Sequence, residues 1–205
     1  MKIKICGLTS PKEAQYLNTH QVDFAGFVLF FPKSKRNITI SQAKEIMEQL
    51  HPDIQTVAVV VSPTTEQITQ IAQAGFSYVQ IHGTLSPEVE ENCPLPILKA
   101  FNVSDLDEFQ TWLQNPTIAG FVFDAQEPGS GKTFDWNLVP HLPKTDKIFL
   151  LAGGLHPNNV AKAITAIQPD GVDVSSGVEN ENGTGKNPDK IQAFVSAVRT
   201  ASHAK

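Results

Sequence analysis

Eight short apolar runs, separated by longer helix-like segments, constrain this chain more than any other feature. They are KIKIC (2–6), FAGFVLF (24–30), TVAVVV (56–61), YVQI (78–81), PILKA (96–100), AGFVF (119–123), IFLLA (148–152) and GVDVS (171–175). Most are rich in β-branched or aromatic residues and apolar on both faces, the pattern of strands in a parallel sheet covered by helices. Between them, Ser10-Pro11-Lys12-Glu13 reads as a helix start, with a capping serine, proline at the first helical position and glutamate three residues after the cap. Further helices are expected at 41–50, with Ser41 as its cap, and at 63–74, 86–92, 103–113, 157–167 and 188–199. The sixth helix, 135–140, is expected to be short because it ends at Pro140. Alternating β and α elements imply right-handed crossovers, and eight such units close naturally into a barrel. The expected fold is therefore α/β, a (βα)8 TIM barrel forming one domain over 1–205 without a linker or low-complexity segment.

Composition narrows the partners. A formal charge of −5, with Lys and Arg scattered, offers no basic field for a phosphate backbone, so a nucleic-acid partner is disfavoured. Met1 leads directly into an alternating charged strand, and no segment approaches the length that crosses a bilayer, which predicts a cytoplasmic protein without a membrane partner. Two cysteines, Cys6 and Cys93, are too few for a disulfide framework, and Cys93 beside Pro94 reads as a packing residue. The six histidines include no pair at metal-ligand spacing, so no metal site is expected.

In barrels of this kind the chemistry lies at the carboxyl ends of the strands and in the loops that follow. That rule selects Cys6, Gly7, Arg36, Gln80, His82, Asp124, Ala152 to Gly154, and Asp173 to Gly177. The run LLAGGLHPNNV passes from a strand through Gly153 and Gly154 toward a helix, so backbone N–H groups there could approach an anion closely. Ser175, Ser176 and Gly177 add donors from the next loop, and two such loops after strands seven and eight favour phosphate binding. A competing anion motif, GSGKT (129–133), lacks the first glycine of a nucleotide-binding loop, since Gln126 stands there, and no strong helix follows it. It reads instead as a glycine-rich loop over the site. Asp173, an acid inside a strand, should point into the site or orient a neighbour, because burying it unpaired is costly.

Taken together, KICGLT, GFVLF followed by PKSKR, VQIHG, FVFD with GSGKTFDW, LAGGLHPNNV and GVDVSSGVE resemble the phosphoribosylanthranilate isomerase family of tryptophan biosynthesis. The match runs in order from the second residue to the final helix. The resemblance implies a single-domain barrel, no cofactor, a phosphorylated small-molecule partner, and a monomer or homodimer. It also implies an Amadori rearrangement with Cys6 as general base, Asp124 as general acid and Arg36 holding the anthranilate end. Gln80, His82 and Asp173 are the further candidates for substrate binding. The loop at 33–36 reads KSKR where the family usually reads KSPR, losing a stiffening proline but keeping the charge. GVENENGTGKNPDK (177–190) carries one apparent insertion, with Asn187 where aspartate is usual.

The chemistry accounts for these residue types. Opening the ribose ring needs a proton on the ring oxygen, and a proton must then leave carbon two of the sugar; one acid and one base suffice, without a metal. Asp124 should be kept protonated by apolar surroundings, and the Cys6 thiol should be depressed from its ordinary value of about 8.5. The alternatives are another phosphate-binding barrel enzyme, such as a sugar-phosphate epimerase, and a catalytically silent barrel that binds a phosphorylated regulator. The first would be favoured by a metal requirement or a lysine base, and the second is disfavoured by an intact Cys6 and Asp124.

Overall fold

The computed structural model describes residues 1–102, 106–124 and 145–203. Its strands are β1 (Lys2–Cys6), β2 (Phe24–Leu29), β3 (Gln55–Val61), β4 (Tyr78–His82), β5 (Ile97–Asn102), β6 (Ile118–Asp124), β7 (Ile148–Leu151) and β8 (Gly171–Val174). Each pairs in parallel with the next, and β1 pairs with both β2 and β8, which closes the barrel. The expected eight-stranded architecture is the one observed. A feature outside that expectation is a two-residue strand, Asn37–Ile38, which pairs with Val28 and Leu29 where β1 has stopped opposite Gly26.

The helices are α1 (Pro11–His20), α2 (Ile40–Met47), α3 (Thr65–Gln73), α4 (Pro87–Asn92), α5 (Leu106–Leu113), α6 (Val160–Ile167) and α7 (Pro188–His203). Ser10 and Glu13 form the capping box read from the sequence. Ser41 does not cap α2. Thr39 does, accepting from the Gln42 backbone N–H while the Gln42 side chain accepts from the Thr39 N–H. The reason is chemical: three residues after Ser41 stands Lys44, which has no acceptor to return to a cap, whereas Thr39 and Gln42 supply both halves. The same pairing, Thr64 with Gln67, starts α3 one turn position inside the expected Pro63. The expected 135–140 helix, Trp136 and GSGKT lie outside the described residues.

Alternation along each strand sorts the side chains into two cores. Phe24, Val57, Val59, Leu98, Val122 and Leu150 fill the barrel interior with Cys6, while the second face packs under the helices. Trp112 and Cys93 are partly buried against that outer layer, Cys93 as the packing residue read from the sequence. Under α5 the layer is aromatic: Phe109 lies 5.0 Å from Phe121, 5.3 Å from Phe123 and 5.9 Å from Phe149 between ring centres. Edge-on contacts of this kind add to the area the ring buries. Phe109 is 1% exposed, so Phe109→Ala should empty a site that rigid strands cannot fill and cost about 3–5 kcal/mol. Urea denaturation would measure it, and a loss under about 1 kcal/mol would mean that α5 collapses onto the strands.

Candidate active site

The carboxyl ends of the strands surround a cavity of about 650 Å³. Cys6, Arg36, Gln80, His82, Asp124, Gly153, Gly154, Asp173, Ser175 and Ser176 all line it. Of the residues selected from the sequence, Gly7, Val174 and Gly177 do not, and Gly177 has a structural role. A Cβ built there would lie 2.0 Å from the Leu155 carbonyl oxygen, so the missing side chain lets the loop after β8 rest on the loop after β7.

Cys6 is fixed from three sides. It pairs in register with Gly26, where a Cβ would come within 2.8 Å of its sulfur, so the thiol occupies space that only glycine leaves open. The Ser175 hydroxyl donates to the Cys6 carbonyl at 2.9 Å, tying the end of β1 to the loop after β8. Two residues back on the same face, Lys4 is fully buried and bonded to Asp173 at 2.7 Å. Asp173 thus both lines the cavity and orients a neighbour. Burial alone would lower Lys4, but the Asp173 carboxylate and the nearby thiol hold it above its usual value.

The thiol departs from the sequence expectation. Burial pushes Cys6 up, and the opposing pull of Lys4 and, more weakly, of Lys186 does not overcome it. A sequence indicates a polar neighbour two residues away, but the depth of burial that outweighs it comes from the assembled barrel.

On β4, Gln80 donates from Nε2 to Nε2 of His82 at 2.8 Å. His82 can accept because burial, with Lys4 and Lys99 nearby, holds it neutral at a value of about 4. Asp124, at the end of β6, stands three strands from Cys6 around one side of the barrel and five around the other. After β7, Gly153 and Gly154 adopt φ of 84° and 62°. Asn159 holds that loop, accepting from the His156 N–H at 2.8 Å and donating to the Gly154 carbonyl at 3.0 Å. With its side chain committed there, Asn159 caps no N–H of α6, which begins at Val160 rather than at the expected Pro157.

Sequence reasoning left Lys4, Asn159, Glu179 and Lys186 without a role and gave Glu13 only its place in the α1 cap. Glu179 is 5% exposed and accepts from Arg36 Nε, from Lys35 at 2.8 Å and from Lys186 at 3.3 Å. Burial would raise Glu179, yet the Arg36 hydrogen bond and the two lysines hold it down at about 2. Lys186 also donates to the Ser175 carbonyl at 3.1 Å, and its backbone N–H donates to Glu13 at 2.7 Å. The departures in the loops are accommodated. Lys35, in place of a proline, donates to Glu179 and to the Gly183 carbonyl at 2.8 Å, while Asn187 accepts from the Lys190 N–H at 2.9 Å, the work an aspartate would do at a helix start. The available signal for Glu179 and Lys186 was their place in the motif after β8. Nothing local announces that both face Arg36.

Among the described residues, three buried polar atoms at this cavity have no hydrogen-bond partner: Arg36 Nη2, Gln80 Oε1 and Asp173 Oδ1. An orphaned donor and orphaned acceptors around one cavity suit a ligand carrying both an anion and hydroxyl or amine groups. Fold and site together define a (βα)8 barrel with ionisable and unpaired polar groups around a carboxyl-end cavity, the end at which barrels of this kind carry their active sites. The family model described as N-(5'phosphoribosyl)anthranilate (PRA) isomerase matches residues 3–197, and the chain belongs to that family. It is 38% identical over 212 residues to the N-(5'-phosphoribosyl)anthranilate isomerase of Nitrosomonas eutropha, covering 99% of each chain. The crystal structure of phosphoribosyl anthranilate isomerase from Thermus thermophilus superposes with a TM-score of 0.85 at 29% identity, over 98% of this chain and 99% of that one. A further isomerase structure, solved in complex with reduced 1-(o-carboxyphenylamino)-1-deoxyribulose 5-phosphate, has a TM-score of 0.83 at 32% identity, over 98% of this chain and 99% of that one.

The raised thiol has a measurable consequence. In a Cys93→Ser background, alkylation of Cys6 by iodoacetamide should reach half its maximal rate only above the ordinary thiol value of about 8.5. A midpoint near 7 would mean that Lys4 and Lys186 outweigh burial.

Proposed function

We propose that this chain catalyses the Amadori rearrangement of N-(5-phosphoribosyl)anthranilate to 1-(2-carboxyphenylamino)-1-deoxyribulose 5-phosphate in tryptophan biosynthesis. The observation that carries the reading is that Cys6 and Asp124 line one cavity from well-separated strands, so a sugar can lie between them. Family membership and the product-like ligand of the related crystal structure support it.

Asp124 gives its proton to the ribose ring oxygen as the bond from that oxygen to carbon one breaks, leaving a Schiff base between carbon one and the anthranilate nitrogen. The Cys6 thiolate then takes the proton from carbon two, and the electron pair moves to give an enolamine. Proton return at carbon one with loss of the hydroxyl proton at carbon two completes the ketone, so the step is redox-neutral overall. The proton that Cys6 took is the one returned at carbon one, and Asp124 regains its own from the carbon-two hydroxyl, so both groups end as they began; the resting thiol first loses its proton to water. Thiolate formed there sits beside Lys4, whose charge partly repays the cost of burial. The phosphate rests on backbone N–H groups at Gly153 and Gly154, on the Ser176 hydroxyl and on the loop that Gly177 lets close, the Ser175 hydroxyl being committed to the Cys6 carbonyl. Arg36 meets the anthranilate carboxylate, while Gln80, His82 and Asp173 meet the sugar.

Cys6→Ala and Asp124→Asn should each lower kcat by at least about a hundredfold, the usual reach of one general acid or base, while the protein stays folded. Loss of substrate fluorescence would report the rate. Near-normal turnover in either variant would remove that residue from the mechanism. The wild-type rate should also rise with pH through neutrality, because the raised Cys6 must lose its proton to act. A rate flat from pH 6 to about 9 would contradict the thiolate as base.

A further inference from the structure

The Arg36 backbone N–H donates to Ser34 Oγ at 3.2 Å within its own loop, but its side chain is held from elsewhere. Its stem crosses Gly7, where a Cβ would lie 2.5 Å from Arg36 Cδ and where φ is +80°, so the path of the side chain exists because β1 is followed by glycine. Its Nε donates to Oε1 of Glu179, 143 residues away. The same Oε1 accepts from Lys186 at 3.3 Å, and Oε2 accepts from Lys35 at 2.8 Å. Lys186, 3% exposed, is itself held by the Ser175 carbonyl, and Glu13 accepts from its backbone N–H. The Glu179 carboxylate is therefore clamped between a buried lysine and a surface lysine and cannot follow Arg36 if the arginine moves. Three cations share this single carboxylate, so the cluster retains positive charge. Arg36 Nη2 is buried with no hydrogen-bond partner among the described residues.

A guanidinium offers five N–H donors in a rigid fork, and engaging one edge fixes the direction of the other. We propose that Glu179 is a positioning residue which holds the Nε side of Arg36 so that the Nη end meets the carboxylate of the substrate's aromatic ring, and that it thereby sets the preference for an amine bearing a carboxylate. This rests on the reading of the cavity as a phosphoribosylanthranilate site with Arg36 at its anthranilate end. Glu179 touches no reacting atom in this scheme. Its effect falls on substrate recognition, whereas Cys6 and Asp124 govern the chemical step.

The test compares two substrates: phosphoribosylanthranilate, and the same phosphoribosyl amine built on aniline, which lacks the carboxylate. Glu179→Gln keeps the shape but removes the charge that orients Arg36. It should raise KM for the anthranilate substrate about tenfold, the worth of a misaligned charge-assisted hydrogen bond, with a much smaller effect on kcat and on the aniline substrate. Calorimetry verifies that the variant is folded. Where Glu179→Gln does not fold, Glu179→Asp keeps a negative charge within the lysine cluster while drawing the carboxylate back by one methylene from Arg36 Nε, and the same selective rise is expected. An equal loss on both substrates in a folded variant would make Glu179 a structural residue and overturn the proposal, as would an unchanged preference. Arg36→Met separates the two levels. If it abolishes the preference for the carboxylate and the Glu179 variants leave it intact, the positioning role fails alone; if Arg36→Met itself leaves the preference intact, the assignment of Arg36 fails and the proposal falls with it.

Discussion

The first strand is bonded on both edges, to β2 at residues 4–6 and to β8 at residues 2–5, and the cavity depends on that closure. It brings Lys4 against Asp173 and Cys6 against Ser175, each pair 169 residues apart in the chain. A buried ion pair repays its desolvation only when geometry and further hydrogen bonds are good, so the strand pairing that places Lys4 and Asp173 in register is the prior requirement. The same strand carries the thiol to the rim and ends there in Gly7. Asn37–Ile38 then continues the edge of β2, so the loop bearing Arg36 returns to the barrel beside the residue it serves.

Above the rim, two carboxylates join loops that lie far apart in sequence. Glu13 accepts from the N–H groups of Thr9 and Ser10 within its own capping box, and its second oxygen accepts from the Lys186 N–H. Glu179 gathers Arg36, Lys35 and Lys186. Between them they fasten the loops after β1, β2 and β8 into one wall. The contacts differ in weight. Lys35 is half exposed, and a surface ion pair of that kind contributes little, whereas Lys186 is buried and its loss would leave Glu179 short of a cation in a poorly solvated place.

What could be read along the chain was whatever depends on near neighbours. Strand runs and the α1 cap follow from local pattern, and the Thr39 and Thr64 caps were legible too, through the glutamine three residues on. The boundary of α6 was not, because Asn159 spends its side chain on Gly154 and His156 instead of on the helix. At the site, most of the residues selected by the rule that chemistry sits at carboxyl ends do line the cavity, and they make up about half of its lining. The rule missed Lys4, which lies one layer deeper, and it misjudged the Cys6 thiol, whose environment combines an attractive cation with strong burial.

By itself the sequence determined the alternation of strands and helices, the thiol before a glycine at the end of β1, the aspartate at the end of β6 and the glycines after β7, because each is set by periodicity or by a residue's place at a strand end. Tertiary structure alone decided the partners. Which cation meets Glu179, which carboxylate meets Lys4, how far burial outweighs charge at Cys6, and which atoms of Arg36, Gln80 and Asp173 are left for a ligand all depend on contacts between residues more than a hundred positions apart or on the depth of the closed barrel. Side-chain energetics of that kind follow distance and dielectric, and neither is written in the order of residues along the chain.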